Sequence, residues 1–217
     1  MVPAKRASEA LRLHLGCGPC TPAGWVNVDY ALGARLARIA PLRPLLRALG
    51  LFRIDWSGSI VLHDLRKPFP WADGSAHAIY SSHTLEHLSA RDGLQFLREC
   101  QRVLAPGGVI RIVVPDVGAI LRDYEKGRFP ATELLEHLGA FGETPDDGAL
   151  RRLLAPLVRF PHRCMYDAAS LLERMRCVGL DPRLAPPLVS RIPDLGELER
   201  EERTRDSLIA EAQKSDA

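Results

Sequence analysis

Four groups of residues in this sequence have types and positions suited to binding a nucleoside, and each follows a short apolar segment. They are the glycine turn 16–18, Asp29, Asp64 and the pair Ser82-His83. A glycine turn lets the backbone approach a ligand closely, because glycine has no Cβ. An acid at the end of the second strand can accept both ribose hydroxyls, and an acid at the third can accept from an adenine amino group. Each signal alone is weak, since a strand-end aspartate often serves only a turn, but the four together predict one site.

The spacing of the first two groups argues against a dinucleotide ligand. The turn is Gly-x-Gly, which is shorter than the G-x-G-x-x-G that cradles a pyrophosphate at a helix N-terminus. Asp29 follows Gly16 by only 13 positions, against about 20 in dinucleotide-binding folds. We therefore expect an adenosine-containing ligand without phosphates, and not NAD or FAD.

Apolar periodicity predicts the elements that position these residues. Strands are expected at 11–15, 25–29, 59–64, 77–82 and 109–114, and helices at 89–104, 117–126, 132–140, 147–157 and 167–179. Their alternation predicts an α/β fold with a doubly wound, mostly parallel, Rossmann-like sheet and right-handed crossovers. Ligands of such sheets bind at the carboxyl ends of the strands, where all four groups fall.

The remaining segments predict how the fold is closed and covered. Segments 188–192 and 207–212 are predicted as closing antiparallel strands, with the charged stretch 197–205 between them as a solvated helix or loop. We expect one domain over 1–217, with 32–57 and 117–166 as helical cap or substrate-side insertions. Leucines and arginines interleave through 32–50 in a basic amphipathic pattern. That pattern suits a lid over the cleft, or peripheral contact with a membrane or an anionic lipid-linked substrate.

Composition sets limits on partners and compartment. Of 217 residues 46% are hydrophobic and 26% are charged, and the net charge is +2, so a nucleic-acid partner is not expected. No apolar run approaches the ~20 residues that span a bilayer, and the first ten residues lack the apolar segment of a secretory signal. Five dispersed cysteines do not form a disulfide framework, which favours the cytoplasm. The oligomeric state stays open.

A series of motifs resembles one known family. In order, they are LHLGCGP (13–19), GWVNVD (24–29), HDLRKPFP (63–70), SHTLEH (82–87) and RVLAPGGVIRIVVPD (102–116). Together they resemble the class I S-adenosylmethionine-dependent methyltransferases, and more narrowly a bacterial, type 11-like branch in which a GW.N.D segment follows the glycine turn almost directly. The likeness is close over 11–116 and looser beyond. It implies methyl transfer from S-adenosylmethionine to an unidentified acceptor, with a small molecule or a saccharide or glycan precursor as the expected classes.

The resemblance also implies roles for single residues in binding the cofactor. The implied set, from the methionine part through the ribose and adenine to the methyl group, is Gly16, Cys17, Gly18, Asp29, Tyr30, Asp64, Leu65, Ser82 and His83. The chain departs from the wider class at two places. His14 stands near the usual position of an acid in the first strand, and the first helix is clipped. Both departures leave the contacts of the methionine amino group open.

Methyl transfer to oxygen needs a base, and histidine has a suitable pKa. The candidates are His83, beside the expected methyl position, and His162, in a loop after the sheet; Asp116 can orient either one. A structural role is the alternative for both histidines, and an amine or thiol acceptor needs no base. Glu86 is expected to cap or pair locally.

Two other functions stay open. Cys17 and Cys20 have the C-x-x-C spacing of thiol–disulfide oxidoreductases, although no tryptophan precedes them. The second alternative is a methyltransferase-like module that binds a ligand or a partner protein without turnover. A metal site is not expected, because the sequence has no second C-x-x-C pair.

Overall fold

The predicted parallel sheet is present in the structure. The computed structural model describes residues 10–37, 57–140 and 161–215, and in these ranges seven strands form one sheet. The strands are β1 (Leu11–Leu15), β2 (Val26–Asp29), β3 (Val61–Leu62), β4 (Ala76–Ser82), β5 (Leu104–Pro115), β6 (Pro182–Leu184) and β7 (Ser207–Gln213). Their order is β3-β2-β1-β4-β5-β7-β6. Strands β1 to β5 are parallel, and β7 is antiparallel to both neighbours, which confirms the predicted fold class.

Helices lie between most of the strands. The α-helices in the described ranges are α1 (Leu32–Ala37), α2 (Ala90–Val103), α3 (Val117–Glu125), α4 (Leu134–His137), α5 (Ala168–Arg176) and α6 (Glu201–Thr204), with 3-10 turns at Leu85–His87, Ala131–Glu133 and Leu195–Glu197. α2 begins after Ser89, because the Ser89 side chain accepts a hydrogen bond of 3.1 Å from the amide of Asp92. α5 begins after Asp167, which forms a reciprocal capping box with Ser170.

The strand order creates a crevice where the predicted site residues fall. The chain builds outward from β1 through β2 to β3 and then returns to place β4 on the other side of β1. Ligands of open α/β sheets bind at such a reversal, outside the carboxyl ends of the strands. Gly16 directly follows β1, Asp29 and Ser82 end β2 and β4, and Asp64 lies two residues beyond β3. One edge of the sheet therefore carries all four groups.

Both faces of the sheet are covered, which explains the nearly continuous apolar sequence of β5. On one face Ile112 of β5 packs with Phe96 of α2 and Met175 of α5, all fully buried. On the other face Val113 packs against the C-terminal segment through Leu195. A central strand buried on both faces is expected to be apolar at consecutive positions.

The charged stretch predicted to be solvated is in part buried, because Glu199 pairs with Arg111 on β5. Nε and Nη2 of Arg111 donate to the two carboxylate oxygens of Glu199 at 2.7 and 2.8 Å, and both side chains are 0% exposed. Nη1 of Arg111 lies 3.1 Å from Glu211 on β7. The guanidinium also donates to the carbonyls of Val189 and Pro186, each at 2.9 Å. This network fastens the C-terminal segment to the second face of the sheet.

The strand predicted at 188–192 is wrong. The edge strand is instead β6, which pairs with β7, and Leu188 has a φ of 60°, in the left-handed region that strands do not use. The other closing strand is confirmed as β7. The strand predicted at 59–64 is present only as the two residues of β3.

The two segments predicted as caps, 32–57 and 117–166, are described only in part. The helix predicted at 147–157 and residues 38–50 of the basic segment lie outside the described ranges, and α1 is the described beginning of that segment. The ends of 117–166 meet on the sheet, since Asp116 and Tyr166 form a parallel bridge and Val117 N donates to the Tyr166 carbonyl at 3.1 Å. Within the described ranges no helix is both long and apolar enough to cross a membrane.

Candidate cofactor and acceptor site

The glycine turn after β1 requires glycine at its first position. Gly16 and Gly18 have φ angles of 73° and 55°, which L-residues with a side chain rarely adopt. A Cβ at Gly16 would lie 1.9 Å from Oγ1 of Thr84, in the turn after β4. The amides of Gly16 and Cys17 both donate to the carbonyl of Val28, at 2.9 and 3.0 Å. The turn is thereby held between β2 and the residues that follow β4.

Asp29 lies against this turn at the end of β2. Its Oδ2 accepts a hydrogen bond of 2.8 Å from the amide of Gly18, and its Oδ1 accepts one of 2.7 Å from the amide of Ala31. Two fixed donors therefore set the direction of the carboxylate. The next residue, Tyr30, is 41% exposed, and the Arg35 guanidinium lies 5.0 Å from the centre of its ring. Asp29 and the glycine turn form one unit.

Asp64 follows β3, and its carboxylate is engaged by its own neighbour. Nε and Nη2 of Arg66 donate to the two oxygens of Asp64 at 2.9 and 2.8 Å, and the amide of Arg66 donates at 3.1 Å. Hydrogen bonding from the Arg66 side chain lowers the pKa of Asp64, so the carboxylate is ionised at neutral pH. Leu65 is buried beside it. An adenine amino group would share the acceptor oxygens with Arg66, and the adenine contact stays a prediction.

Ser82 and His83 lie at the end of β4. Ser82 is buried, and among the described residues its hydroxyl has no hydrogen-bond partner. His83 has a φ of 51°, a conformation that is uncommon for residues other than glycine and is often found at functional sites. Its amide donates to the carbonyl of Val113 at 2.9 Å. Nδ1 of His83 lies 3.3 Å from Oε1 of Glu86, so the imidazole is directed at a carboxylate.

Glu86 is the residue that joins the two candidate bases. Its side chain is 1% exposed, and within the described residues neither carboxylate oxygen has a hydrogen-bond donor. Its main-chain carbonyl accepts from the amides of Arg163 and Cys164, at 2.7 and 3.1 Å. These bonds tie the turn after β4 to the segment that carries His162. As a result Nε2 of His162 lies 4.0 Å from the same Oε1.

His162 is held from its other side by the end of α4. Its Nδ1 lies 2.8 Å from the carbonyl of Leu138, and its amide donates to the carbonyl of Gly139 at 3.1 Å. Burial lowers the pKa of His162, although the nearby Glu86 opposes the shift. The His87 ring packs edge-on against the His162 ring, with centroids 5.0 Å apart.

The side chain of Asp116 contacts helix α3. Its Oδ1 accepts from the amide of Gly118 at 2.8 Å and so caps α3, while its Oδ2 lies 3.3 Å from Nη2 of Arg122. The carboxylate that faces both His83 and His162 is Glu86. The sequence suggested only a local role for Glu86, although, like the other site residues, it lies near the carboxyl end of a strand, four residues beyond β4. That shared position is the signal by which it could have been found.

The two cysteines of the C-G-P-C sequence do not have the features of a redox-active pair. Both are free thiols. Burial raises the pKa of the Cys17 thiol far above its ordinary value, whereas redox-active cysteines have a lowered pKa. Cys17 packs with Ala34 and Ile60 in a small apolar cluster. The structure thus favours a packing role for Cys17 over the oxidoreductase alternative.

Comparison with solved structures agrees with this fold. An S-adenosylmethionine-dependent methyltransferase from Thermotoga maritima, described as a possible histamine N-methyltransferase, is 17% identical, with 94% of this chain and 82% of that chain covered and a TM-score of 0.52. A methyltransferase of the same cofactor dependence from Archaeoglobus fulgidus is 14% identical, with 95% and 87% covered and a TM-score of 0.50. At these identities the likeness shows the fold. No curated protein has a significantly similar sequence.

The strand order and the strand-end residues define an α/β protein of the methyltransferase type. Residues 13–112 match a family model described as a methyltransferase domain, and this range holds the glycine turn and the ends of the first four strands. Residues 13–112 thus carry a methyltransferase domain, and the fold around it is that of the class I S-adenosylmethionine-dependent methyltransferases.

The residues at the crevice fit the cofactor of this family. A Cβ added at Gly18 would meet nothing within 4 Å, so the turn borders open space beside Asp29. The buried hydroxyl of Ser82 is an unused polar atom at the adjoining strand end. A close-approach turn, an oriented carboxylate and an unused hydroxyl suit a ligand that has amino-acid and ribose parts and no phosphate.

Proposed function

We propose that this chain is a cytoplasmic methyltransferase that transfers the methyl group of S-adenosylmethionine to a hydroxyl of a small-molecule or saccharide acceptor. The observation that carries the proposal is the 2.8 Å hydrogen bond between Asp29 and Gly18, which joins the two cofactor-binding elements. The free state of all five cysteines agrees with a reducing compartment.

Cofactor binding is assigned to the glycine turn 16–18, with Asp29 on the ribose and the Asp64–Leu65 pair on the adenine. When bound, the cofactor supplies an electrophilic methyl group on its sulfonium. The protein then has to align the acceptor oxygen with that methyl group and accept the proton that the oxygen loses.

His83 is proposed as the base that takes this proton. It ends the same strand as the buried Ser82 hydroxyl, next to the cofactor crevice. The Glu86 carboxylate, 3.3 Å from Nδ1 of His83, would stabilise the imidazolium that forms. Glu86 therefore takes the orienting role that the sequence suggested for Asp116.

The segment 117–166 is proposed as the cap on the acceptor side. Leu138 and Gly139 hold His162 through a side-chain and a main-chain hydrogen bond, and His162 in turn lies beside Glu86. The described part of the cap thus reaches the residues assigned to the proton transfer. Segment 32–57 is proposed as a second cap, and a lid role is preferred there over membrane contact.

The test has two stages that separate binding from turnover. Calorimetry with S-adenosylhomocysteine is expected to give saturable, one-to-one binding. Release of S-adenosylhomocysteine is then measured with pools of sugar, phenol and alcohol acceptors. Binding without product in any pool would contradict catalysis and support the non-catalytic alternative, and a lack of binding at millimolar ligand would overturn the proposal.

The matched pair His83→Asn and His77→Asn tests the base. Asparagine tolerates the left-handed backbone of position 83, and His77 is an exposed histidine on the same strand. We expect His83→Asn to lower kcat by about 10²- to 10⁴-fold and to leave cofactor affinity within a few-fold, with His77→Asn unchanged. Equal kcat in the two variants would exclude His83 as the base.

A further inference from the structure

Three side chains beside the proposed base converge on a common point. One ligand atom each from Glu86, His87 and His162 can be chosen so that all lie within 4.8 Å of one another. The three residues come from two segments that are distant in sequence. They are brought together by the hydrogen bonds from the amides of Arg163 and Cys164 to the Glu86 carbonyl. These main-chain hydrogen bonds hold the two segments next to each other.

The Glu86 carboxylate needs a positive partner. It is 1% exposed, and none of the described residues donates a hydrogen bond to either of its oxygens. Nδ1 of His83 lies 3.3 Å and Nε2 of His162 lies 4.0 Å from its Oε1. A buried carboxylate without donors is strongly unfavourable, so a cation or a proton has to compensate it.

The orientation of His162 indicates which compensation is present. Its Nδ1 lies 2.8 Å from the Leu138 carbonyl, and only an Nδ1–H can make that hydrogen bond. In the neutral ring Nε2 then carries a lone pair, and this lone pair is on the side of the Glu86 carboxylate. Two acceptors that face each other across 4.0 Å leave room for a cation between them.

The surroundings of both histidines are those of metal ligands. Metal-bound histidines commonly donate their second ring N–H to a carbonyl or a carboxylate, which fixes the tautomer. Nδ1 of His162 is on the Leu138 carbonyl, and Nδ1 of His87 lies 3.4 Å from the Pro161 carbonyl. In the His162 ring the other nitrogen, Nε2, lies 4.0 Å from the Glu86 carboxylate.

We propose that Glu86, His87 and His162 form a binding site for a divalent transition-metal ion of the zinc class. Two imidazoles suit zinc, iron or nickel, whereas magnesium and calcium prefer all-oxygen sites. Two histidines and one glutamate are three ligands, which leaves a coordination position open. Zinc–ligand distances of about 2.0–2.2 Å in a tetrahedral site place the ligand atoms about 3.3–3.6 Å apart, so the cluster, whose atoms lie within 4.8 Å of one another, would close by up to roughly 1.5 Å around the ion.

If the proposed function holds, a metal ion at this site would assist the removal of the acceptor's proton. It adjoins His83, and the open position can take the acceptor oxygen. A bound divalent ion lowers the pKa of an oxygen ligand, so that the proton taken by His83 leaves more readily. Oε1 of Glu86 faces both His83 and His162. Because a carboxylate has about four lone-pair positions, Glu86 can bind the metal and still face His83.

The test measures metal binding without the cofactor, so it succeeds or fails independently of methyl transfer. The full chain is freed of metal with a chelator and titrated with Zn²⁺ by calorimetry. Cobalt(II) is added in parallel, because its visible absorption reports the ligand field. We expect one ion per chain and a tetrahedral cobalt spectrum with nitrogen and oxygen ligands.

Three variants and a control locate the site. Substitution of a residue that only hydrogen-bonds to a metal ligand lowers metal affinity by ~10- to 100-fold. We expect a larger loss of zinc affinity in each of the ligand variants, His162→Ala, His87→Ala and Glu86→Gln. His137→Ala, in the same cap segment and exposed, is expected to bind as the wild type does. Circular dichroism identifies any variant that does not fold. The zinc affinities of the folded variants then test the proposed ligands.

Two results would overturn the proposal. The first is no saturable binding by the wild type, which would mean that a proton held between Glu86 and a histidine compensates the carboxylate. The second is wild-type affinity in folded His162→Ala or His87→Ala. If the wild-type chain binds zinc but transfers no methyl group, that result would contradict the proposed function and not the metal site.

Discussion

The carboxylate of Asp29 is fixed to the amide of Gly18 by a hydrogen bond of 2.8 Å. The acid that ends β2 and the turn that ends β1 are therefore positioned before any ligand arrives. The second oxygen of Asp29 is held by Ala31 N at 2.7 Å, so the carboxylate cannot turn away without losing both donors. Such preorganisation reduces the entropy lost when a ligand binds.

Replacement of Asp29 tests this unit. We expect Asp29→Ala to abolish measurable S-adenosylhomocysteine binding and to lower the free energy of unfolding by about 1–3 kcal/mol, because two backbone amides lose their acceptor. Calorimetry and urea unfolding measure the two effects. Asp123→Ala is the control, since its carboxylate on α3 pairs with Arg128. Wild-type affinity in Asp29→Ala would contradict the ribose assignment.

A comparison of two glycines separates backbone strain from close packing. Gly16 and Gly127 have similar φ angles, 73° and 68°, but a Cβ at Gly16 would lie 1.9 Å from Thr84 and one at Gly127 would meet nothing within 4 Å. Gly127→Ala is expected to destabilise by about 1–2 kcal/mol, which is the left-handed penalty alone. Gly16→Ala is expected to lower the free energy of unfolding by clearly more than this, as measured by chemical denaturation. Equal losses would mean that Thr84 moves aside freely.

The buried pair of Arg111 and Glu199 is expected to be sensitive to the loss of one partner. Glu199→Gln leaves a buried guanidinium short of negative charge, and we expect it to destabilise the fold by about 3–5 kcal/mol. Glu197→Gln alters an exposed neighbour and is expected to change stability by no more than about 0.5 kcal/mol. Similar urea midpoints for the two variants would show that Glu211 alone compensates the charge of Arg111.

A second ion pair gives the fold a defined response to acid. Glu99 accepts hydrogen bonds from Arg102 and from the Phe69 amide, and the bonds from Arg102 in particular lower the pKa of Glu99 below the ordinary 4.5. A carboxyl whose folded pKa is lowered stabilises the fold above its unfolded pKa, and this contribution is lost as pH falls through the folded pKa.

The stability difference between wild type and Glu99→Gln should follow this rule. We expect the difference to be constant near neutral pH and to shrink as pH falls below 4.5, the ordinary value. Urea unfolding at a series of pH values measures it. Glu173→Gln, an exposed change on α5, should show no such trend. A difference that grows on acidification would contradict the assignment.

The sheet could be predicted because its strands carry strong local signals. β1 alternates polar and apolar residues and has the predicted bounds. The apolar run at 109–114 predicted β5, although the strand extends over Leu104–Pro115. The three-residue strand β6 has no such signal, since it exists only through pairing with β7. The apolar residues near Leu188 gave a false signal, because a left-handed φ there interrupts extended structure.

The spatial convergence of the candidate residues could be predicted where it follows from strand ends and not where it depends on contacts between distant segments. Gly16 and Asp29 are near in sequence and meet through adjacent strands. The burial of Glu199 depends on a guanidinium 88 positions away, which no local pattern contains. The same holds for Glu86, whose approach to His162 depends on hydrogen bonds that join two distant segments.

The bridge between Asp116 and Tyr166 joins the two ends of the excursion that the chain makes between these residues. The sheet therefore does not depend on the length of that excursion, and each doubling of a flexible loop raises the closure free energy by only about 0.6 kcal/mol. A change in the length of this segment is therefore expected to leave the strand ends that carry Gly16, Asp29 and Ser82 in place.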